Sequence, residues 1–257
     1  MTEIVRTVDR LEVRVHADQA VLGREAADQA ATVLRAAVDA RGYARAMFAT
    51  GNSQLSFIDA LVHHTPDVPW AAIDVFHMDE YVGAGPDHPA GFQRWIRERI
   101  AEPAHPRSAN YLDGLAEPEA ECRRYATLLA EGPLDLVCLG IGENGHLAFN
   151  DPGVADFDDP LDVKVVTLDD ACRRQQVGEG HFPDLDAVPA QAMTVTIPAL
   201  LRAAVVLAIV PEGRKAHAVH DALTDPVSTA CPASVLRTRD GVVLHLDLDS
   251  SAELVWS

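Results

Sequence analysis

Residues Leu134 to Gly153 read LDLVCLGIGENGHLAFNDPG. Leu134 to Leu139 is a short, mostly apolar run closed by glycine, the mark of a strand buried in a sheet. The loop that follows carries Gly140, Gly142 and Gly145 and then presents His146 and, five residues on, Asp151. Glycines at that density point to a place where backbone and imidazole must both come close to a ligand. A second run, Ala71 to Gly83, reads AAIDVFHMDEYVG and also predicts a buried strand, here ending in Asp79 and Glu80. A carboxylate pair at one strand end and a histidine with its own carboxylate at another supply the parts for proton transfer.

Outward from these two runs, strand and helix patterns alternate along the chain. Leu11 to His16, Ala44 to Ala49, Ala71 to Met78, Leu134 to Leu139, Val163 to Thr167, Ala192 to Thr196, Ala204 to Val210 and Val242 to Asp247 read as strands. Helical spacing occupies Asp18 to Arg41, with Gly42 as its stop, and also Ser53 to His64, Gly91 to Ile100, Pro118 to Ala130 and Gly213 to Leu223. No linker, low-complexity stretch or internal repeat divides residues 1–257, so one domain is expected. The alternation predicts an α/β fold: a single doubly wound, mostly parallel sheet with helices on both faces, Rossmann-like in layout. Ligands in such sheets sit beyond the carboxyl ends of the strands, where both informative runs place their polar residues.

Bulk composition narrows the function. The chain has 257 residues, 48% of them hydrophobic, and a formal net charge of −18. That charge argues against nucleic acid, which requires clustered Lys and Arg, and against an anionic membrane surface. The longest apolar runs, such as Ala203 to Val210, are too short to cross a bilayer, and the N-terminus lacks the features of a secretory signal. Cys122, Cys138, Cys172 and Cys231 show no C-x-x-C pairing and fit reduced thiols in a cytoplasmic protein. A small anionic substrate stays compatible with the acidic background, since a few backbone amides and one or two cations suffice to hold a phosphate.

Four segments carry candidate chemistry. Thr50-Gly51-Asn52-Ser53-Gln54 joins a strand to a helix; Gly51 permits close backbone approach, Ser53 can cap the helix, and the free amides form an anion site. The same residues also suit an ordinary β–α turn. Gly140 to Gly145 matches G-x-G-x-x-G, but Asn150-Asp151-Pro152-Gly153 stops any helix within two turns, which excludes a dinucleotide fingerprint. His146 stands among Glu143, Asn144, Asn150 and Asp151, and a carboxylate on one ring nitrogen would fix its tautomer and raise its basicity. His77, Asp79, His146 and Asp151 form a conceivable metal set, but no H-x-x-H or H-E-x-x-H spacing supports it. Asp79 and Glu80, flanked by Met78 and Tyr81 and closed by Val82-Gly83, read as a tucked loop. A partly desolvated carboxylate there has its pKa raised, as abstraction of a carbon-bound proton requires.

FHMDEYVG (Phe76 to Gly83) and GIGENGHLAFNDPG (Gly140 to Gly153) resemble the two signature segments of glucosamine-6-phosphate deaminases, also called isomerases. The resemblance extends to ATGNSQ (Ala49 to Gln54) and PEGRKA (Pro211 to Ala216) and covers nearly the whole chain in order. It implies conversion of an amino-sugar 6-phosphate to fructose 6-phosphate and ammonia, as part of carbohydrate metabolism, with no metal or organic cofactor. It implies that Asp79 moves a proton between C2 and C1, with Glu80 beside it. His146 would open the pyranose ring, supported by Asp151, where the family usually has glutamate. Ser53 with the amides of Thr50, Gly51 and Asn52, the backbone of Gly145, and Lys215 would hold the substrate and its phosphate. The expected partner is therefore a small hexosamine 6-phosphate, gluco or galacto, and homo-oligomerisation is left open.

Two departures stand out. The family's usual loop reads Asp-Gly-His, whereas this chain has Asn144, an amide that orients an imidazole but cannot stabilise it as a charge. The arginine that helps bind phosphate in familiar members has no counterpart in ACRRQQVGEGHFPDLDAVP; Arg173 and Arg174 are near but out of register. The related 6-phosphogluconolactonases carry a similar glycine-histidine loop but continue with a Ser-Leu-Phe-Pro type segment rather than Ala148 to Pro152. Lactone hydrolysis is the second enzymatic reading, and a sugar-phosphate sensor without turnover is the non-enzymatic one.

Overall fold

Strand residues in this chain alternate between two apolar cores, and that alternation builds the sheet. The computed structural model describes residues 4–255 apart from 169, 179 and 181. In chain order the elements are β1 (Ile4–Val8), β2 (Leu11–His16), α1 (Gln19–Arg41), β3 (Ala44–Phe48), α2 (Leu55–Asp59), β4 (Ile73–His77) and β5 (Asp79–Tyr81). They continue with α3 (Phe92–Ile96), α4 (Glu102–Ala104), β6 (Ser108–Asn110), α5 (Pro118–Ala130), β7 (Leu136–Leu139) and β8 (Val163–Thr167). The chain ends with α6 (Asp170–Gly178), β9 (Gln191–Val195), α7 (Ile197–Leu201), β10 (Val205–Val210), α8 (Ala216–Thr224) and β11 (Val242–Asp247). Among the described residues, no helix is long and apolar enough to cross a membrane.

Eight strands form the main sheet in the order β1-β2-β11-β10-β7-β3-β4-β6. Every pairing in it is parallel except β1 with β2. On one face, Ala44, Ala46 and Phe48 of β3 and Leu136 and Cys138 of β7 pack with Leu22, Ala30 and Leu34 of α1 and Phe57 of α2. On the other face, Val137 and Leu139 of β7 and Val206, Ala208 and Val210 of β10 pack with Tyr125 of α5, Leu200 of α7 and Val219 of α8. Helices therefore cover both faces, as the alternation of patterns predicts. The ends of α1 follow from its sequence: the Asp18 side chain accepts from the Val21 N–H at 2.8 Å, and Gly42 closes the helix in the left-handed region at φ 81°.

The strand order places the site. From β3 the chain steps to β4 and β6 on one side, then crosses back to β7, β10 and β11 on the other. The loops after β3 and β7 part at that reversal and leave a crevice between them, the position where doubly wound sheets bind ligands.

Two expectations change. The alternation predicts Val163 to Thr167 and Ala192 to Thr196 in the parallel sheet, but β9 pairs antiparallel with β8 on one side and with β5 on the other in a separate three-stranded sheet. Their composition accounts for this. The inner strands β3, β7, β10 and β11 are buried along nearly their whole length, whereas β8 has only two fully buried positions and leaves Lys164, Val165 and Thr167 partly or wholly exposed. Asp79-Glu80-Tyr81, expected as a loop, is strand β5 of this second sheet.

Candidate active site

The loop after β3 forms the floor of the crevice. Gly51 sits at φ 97°, open to glycine and disfavoured for a side chain, and turns the chain from β3 into a 3₁₀ turn at Asn52–Gln54. Ser53 does not cap that turn; its hydroxyl accepts from Gln54 Nε2 at 3.1 Å and lines the crevice. Gln54 also donates to the Ile209 carbonyl at 3.1 Å, tying the loop to β10. A Cβ on Gly140 would stand 3.3 Å from Gln54 Nε2 and 3.5 Å from Ser53 Oγ. The first glycine of G-x-G-x-x-G therefore sits tight against this loop, and no helix follows it before α6.

The other two glycines serve His146. A Cβ on Gly142 would lie 2.2 Å from the imidazole. Gly145, at φ 81°, lets the chain fold so that the Gly142 N–H donates to the His146 carbonyl at 2.9 Å. Inside this turn, His146 Nδ1 is 2.8 Å from Asn144 Oδ1 and 3.0 Å from Asp151 Oδ1. Asn144 Nδ2 donates to Asp151 Oδ1 at 2.8 Å, and Asn144 Oδ1 also accepts the His146 main-chain N–H at 3.1 Å. These partners fix the amide orientation, because the carboxylate only accepts and the main-chain N–H only donates. With two acceptors facing it, Nδ1 carries the proton, and Nε2 remains for a ligand. Burial raises the Asp151 carboxyl, but the hydrogen bond and charge of His146 with the Asn144 amide outweigh it and hold the group below its ordinary value.

Asp79 enters from β5, just past the end of β4. It is 7% exposed and lines the same crevice as His146. Burial, and next the neighbouring charge of Glu80, push its carboxyl well above the ordinary aspartate range. Its main chain is anchored from below. His77 Nδ1 donates to the Asp79 carbonyl at 2.9 Å while His77 Nε2 accepts the Leu112 N–H at 2.9 Å. Burial drives the His77 imidazole down to about 4, so it stays neutral, and neither nitrogen is spare for a metal. Among the described residues, no cluster of three or more His, Cys, Asp and Glu is arranged to hold a metal ion.

Glu80, expected beside Asp79 in the acid–base pair, is turned away from the crevice. Consecutive strand residues point to opposite faces, and Glu80 accepts the N–H groups of Tyr81 at 2.9 Å, Phe92 at 3.2 Å and Gln93 at 2.7 Å. It holds the start of α3, and burial lifts its carboxyl to about 7 against the pull of those bonds. Glu80→Gln aims an amide donor at the Gln93 or Phe92 N–H. The expected loss is roughly 1–3 kcal/mol, since buried polar groups left unsatisfied cost that much. It should appear as a lower melting temperature in calorimetry; an unchanged melting temperature would remove Glu80 from this structural role.

Lys215, expected to hold the phosphate, reaches the crevice from the 3₁₀ turn after β10 and is only 3% exposed. The turn begins at Glu212, whose φ of 81° is strained for a side-chain-bearing residue. Asp247, at the end of β11, holds it there by accepting the Glu212 N–H at 3.1 Å. Thr50, Gly51, Asn52, Ser53, Asp79, His146 and Lys215 thus line one crevice that opens to solvent at its mouth. Gly145 lies behind the histidine, packed on Cys231, rather than in the lining.

Two lining residues have no counterpart in the sequence reading: Gln175 and Gln176 of α6. Neither arginine beside them enters the crevice lining. Arg173 donates to the carbonyls of Leu185 and Val188, and Arg174 pairs loosely with Asp170 at 3.9 Å.

Residues 17–245 match the family model described as glucosamine-6-phosphate isomerases/6-phosphogluconolactonase. The chain belongs to this family. Within it, a glucosamine-6-phosphate deaminase of Streptococcus uberis is 32% identical over 208 residues, 80% of this chain and 86% of the relative. A deaminase of the same name from a Geobacillus species is 32% identical over 232 residues, 88% of this chain and 90% of the relative. Among solved structures, a monomeric glucosamine-6-phosphate deaminase superposes with a TM-score of 0.85 at 29% identity, covering 93% of this chain and 98% of that one. The 6-phosphogluconolactonase of Trypanosoma brucei shares the fold at a TM-score of 0.78 and 19% identity, covering 98% of this chain and 100% of that one.

Proposed function

We propose that this family member deaminates and isomerises a hexosamine 6-phosphate, glucosamine 6-phosphate first among candidates, to fructose 6-phosphate and ammonia. The observation that carries the reading is the pairing, in one crevice, of a desolvated carboxylate with a histidine whose Nδ1 is already committed. Ester hydrolysis needs one base to activate water. Proton transfer between two carbons needs a second, and Asp79 supplies it.

The steps follow from the groups present. His146 passes a proton through Nε2 to the ring oxygen while the anomeric hydroxyl loses one, and the pyranose opens to an aldehyde. Asp79 as carboxylate takes the proton from C2 and returns it to C1, while the carbonyl oxygen O1 gains a proton and the amine loses one, which leaves a hydroxymethyl group at C1 and an imine at C2. Water adds there and ammonia departs. A raised pKa suits Asp79 because proton return from an ordinary aspartic acid would be matched by too weak a base in the first half. Asp151 and Asn144 keep the imidazole oriented, and Asp151 offsets its charge while it is protonated. The 6-phosphate would lie against the Thr50 to Ser53 loop and Lys215, where amides and a buried ammonium face the crevice.

Lys215→Ala is expected to raise KM for the 6-phosphorylated sugar more than it lowers kcat, because a contact remote from C1 and C2 binds ground and transition states alike. Steady-state kinetics checks this, and an unchanged KM would take Lys215 out of the site. Ammonia release from glucosamine, galactosamine and mannosamine 6-phosphates, run beside hydrolysis of 6-phosphogluconolactone, tests the reaction itself. Ligand binding without turnover on any of them would make the protein a sensor.

A further inference from the structure

Helix α6 carries an amide whose two ends have different surroundings. Gln176 is 6% exposed and lines the crevice. Its Oε1 accepts the Tyr81 hydroxyl at 2.7 Å. The other end, Nε2, has no acceptor among the described residues. At the crevice lining that donor is open to an acceptor from solvent or from a bound ligand.

The ring that the amide contacts is fixed in place. Tyr81 is fully buried and packed against Phe92, Phe149 and Phe182, with ring centroids 4.9, 5.4 and 5.3 Å away. Helix α6 is pinned on its other side by Arg173, which grips the Leu185 and Val188 carbonyls. Phe92 and Phe149 also line the crevice, so the amide looks out through an apolar wall. A hydrogen bond made there forms in low dielectric, where it discriminates most sharply between an acceptor and an apolar group.

We infer that Gln176 is a specificity-determining residue: its Nε2 donates to an oxygen of the bound sugar phosphate, and Tyr81 holds the amide so that the donor end faces the ligand. The inference rests on the proposed function for the identity of the ligand. It gives α6 a task in the crevice that neither arginine beside Gln176 performs.

The test is Gln176→Glu, assayed for ammonia release from whichever hexosamine 6-phosphate the wild type turns over. Glutamate keeps the length and still accepts from Tyr81, so a purely structural Gln176 would tolerate it. It replaces the donor with a charge that repels ligand oxygens. The expected result is a KM raised roughly 10- to 100-fold, the factor that hydrogen bonds to charged groups carry. Tyr81→Phe, which frees the amide to flip, should raise KM in the same direction by less. Should the glutamate variant fail to fold, Gln176→Met keeps the bulk, drops both polar ends and should also raise KM. Inorganic phosphate as a competitive inhibitor locates the contact. An inhibition constant that rises in step with KM places Nε2 on the phosphoryl group, and one that stays constant places it on a sugar hydroxyl. A wild-type KM in folded Gln176→Glu, or in Gln176→Met if only that variant folds, would overturn the inference. A wild type that turns over no hexosamine phosphate would instead overturn the proposed function.

Discussion

Asp79→Asn is expected to leave the fold intact and lower turnover by about 10²–10⁴-fold or more, the contribution of a positioned general base. The amide fits the same space and cannot take a proton from C2. Melting temperature should not fall, because the substitution removes a carboxyl that burial already disfavours as a charge. The wild-type pH profile should carry the same signature. Asp79 works only when ionised and burial raises its pKa, so activity is lost as pH falls through that raised value. The acid limb of kcat/KM should therefore lie above the titration range of an ordinary aspartate, about 3.9. Near-normal turnover in Asp79→Asn would reduce the residue to a buried strand position.

The second large effect belongs to the His146 relay. His146→Gln removes the proton carrier, and Asp151→Asn removes the charge that favours imidazolium; both should impair turnover, the first by about 10²–10⁴-fold. Asn144→Asp is the informative variant. In the wild type the Asn144 amide donates to Asp151 at 2.8 Å. A second carboxylate there abuts the first, and like charges so close raise one pKa. At lower pH one of the pair holds a proton and restores the donor. At higher pH both ionise and stabilise the imidazolium. Activity should be kept or raised, with the basic limb of the profile moved to higher pH. Loss of activity at every pH would show that the amide itself is indispensable.

The strands of the main sheet and the loop carrying His146 were legible because their signals are local. Leu136 to Leu139 is buried on both faces and reads as an apolar run; Gly142 and Gly145 announce the close approach that His146 makes. What the sequence hid depends on direction or partner. Asp79 and Glu80 look alike as residues and differ only in which face of β5 they occupy. Gln175 and Gln176 lie in DACRRQQVG, a helix without an apolar stripe to reveal it. The second sheet had a readable clue in Lys164 and Thr167 of β8, but only the pairing of β8 with β9, and of β9 with β5, gives those polar positions their meaning. The resemblance points to Lys215 as a phosphate ligand, but its burial has no local signal, because the strained Glu212 turn that buries it is set by Asp247, far along the chain.

The most direct test of the central claim is the joint assay of ammonia and fructose 6-phosphate formed from glucosamine 6-phosphate by the purified protein in D₂O. Proton transfer from C2 to C1 through Asp79, a group that exchanges with solvent, predicts equal amounts of the two products, with deuterium at C1 of the ketose. Hydrolysis of 6-phosphogluconolactone with no ammonia from any hexosamine 6-phosphate would contradict it.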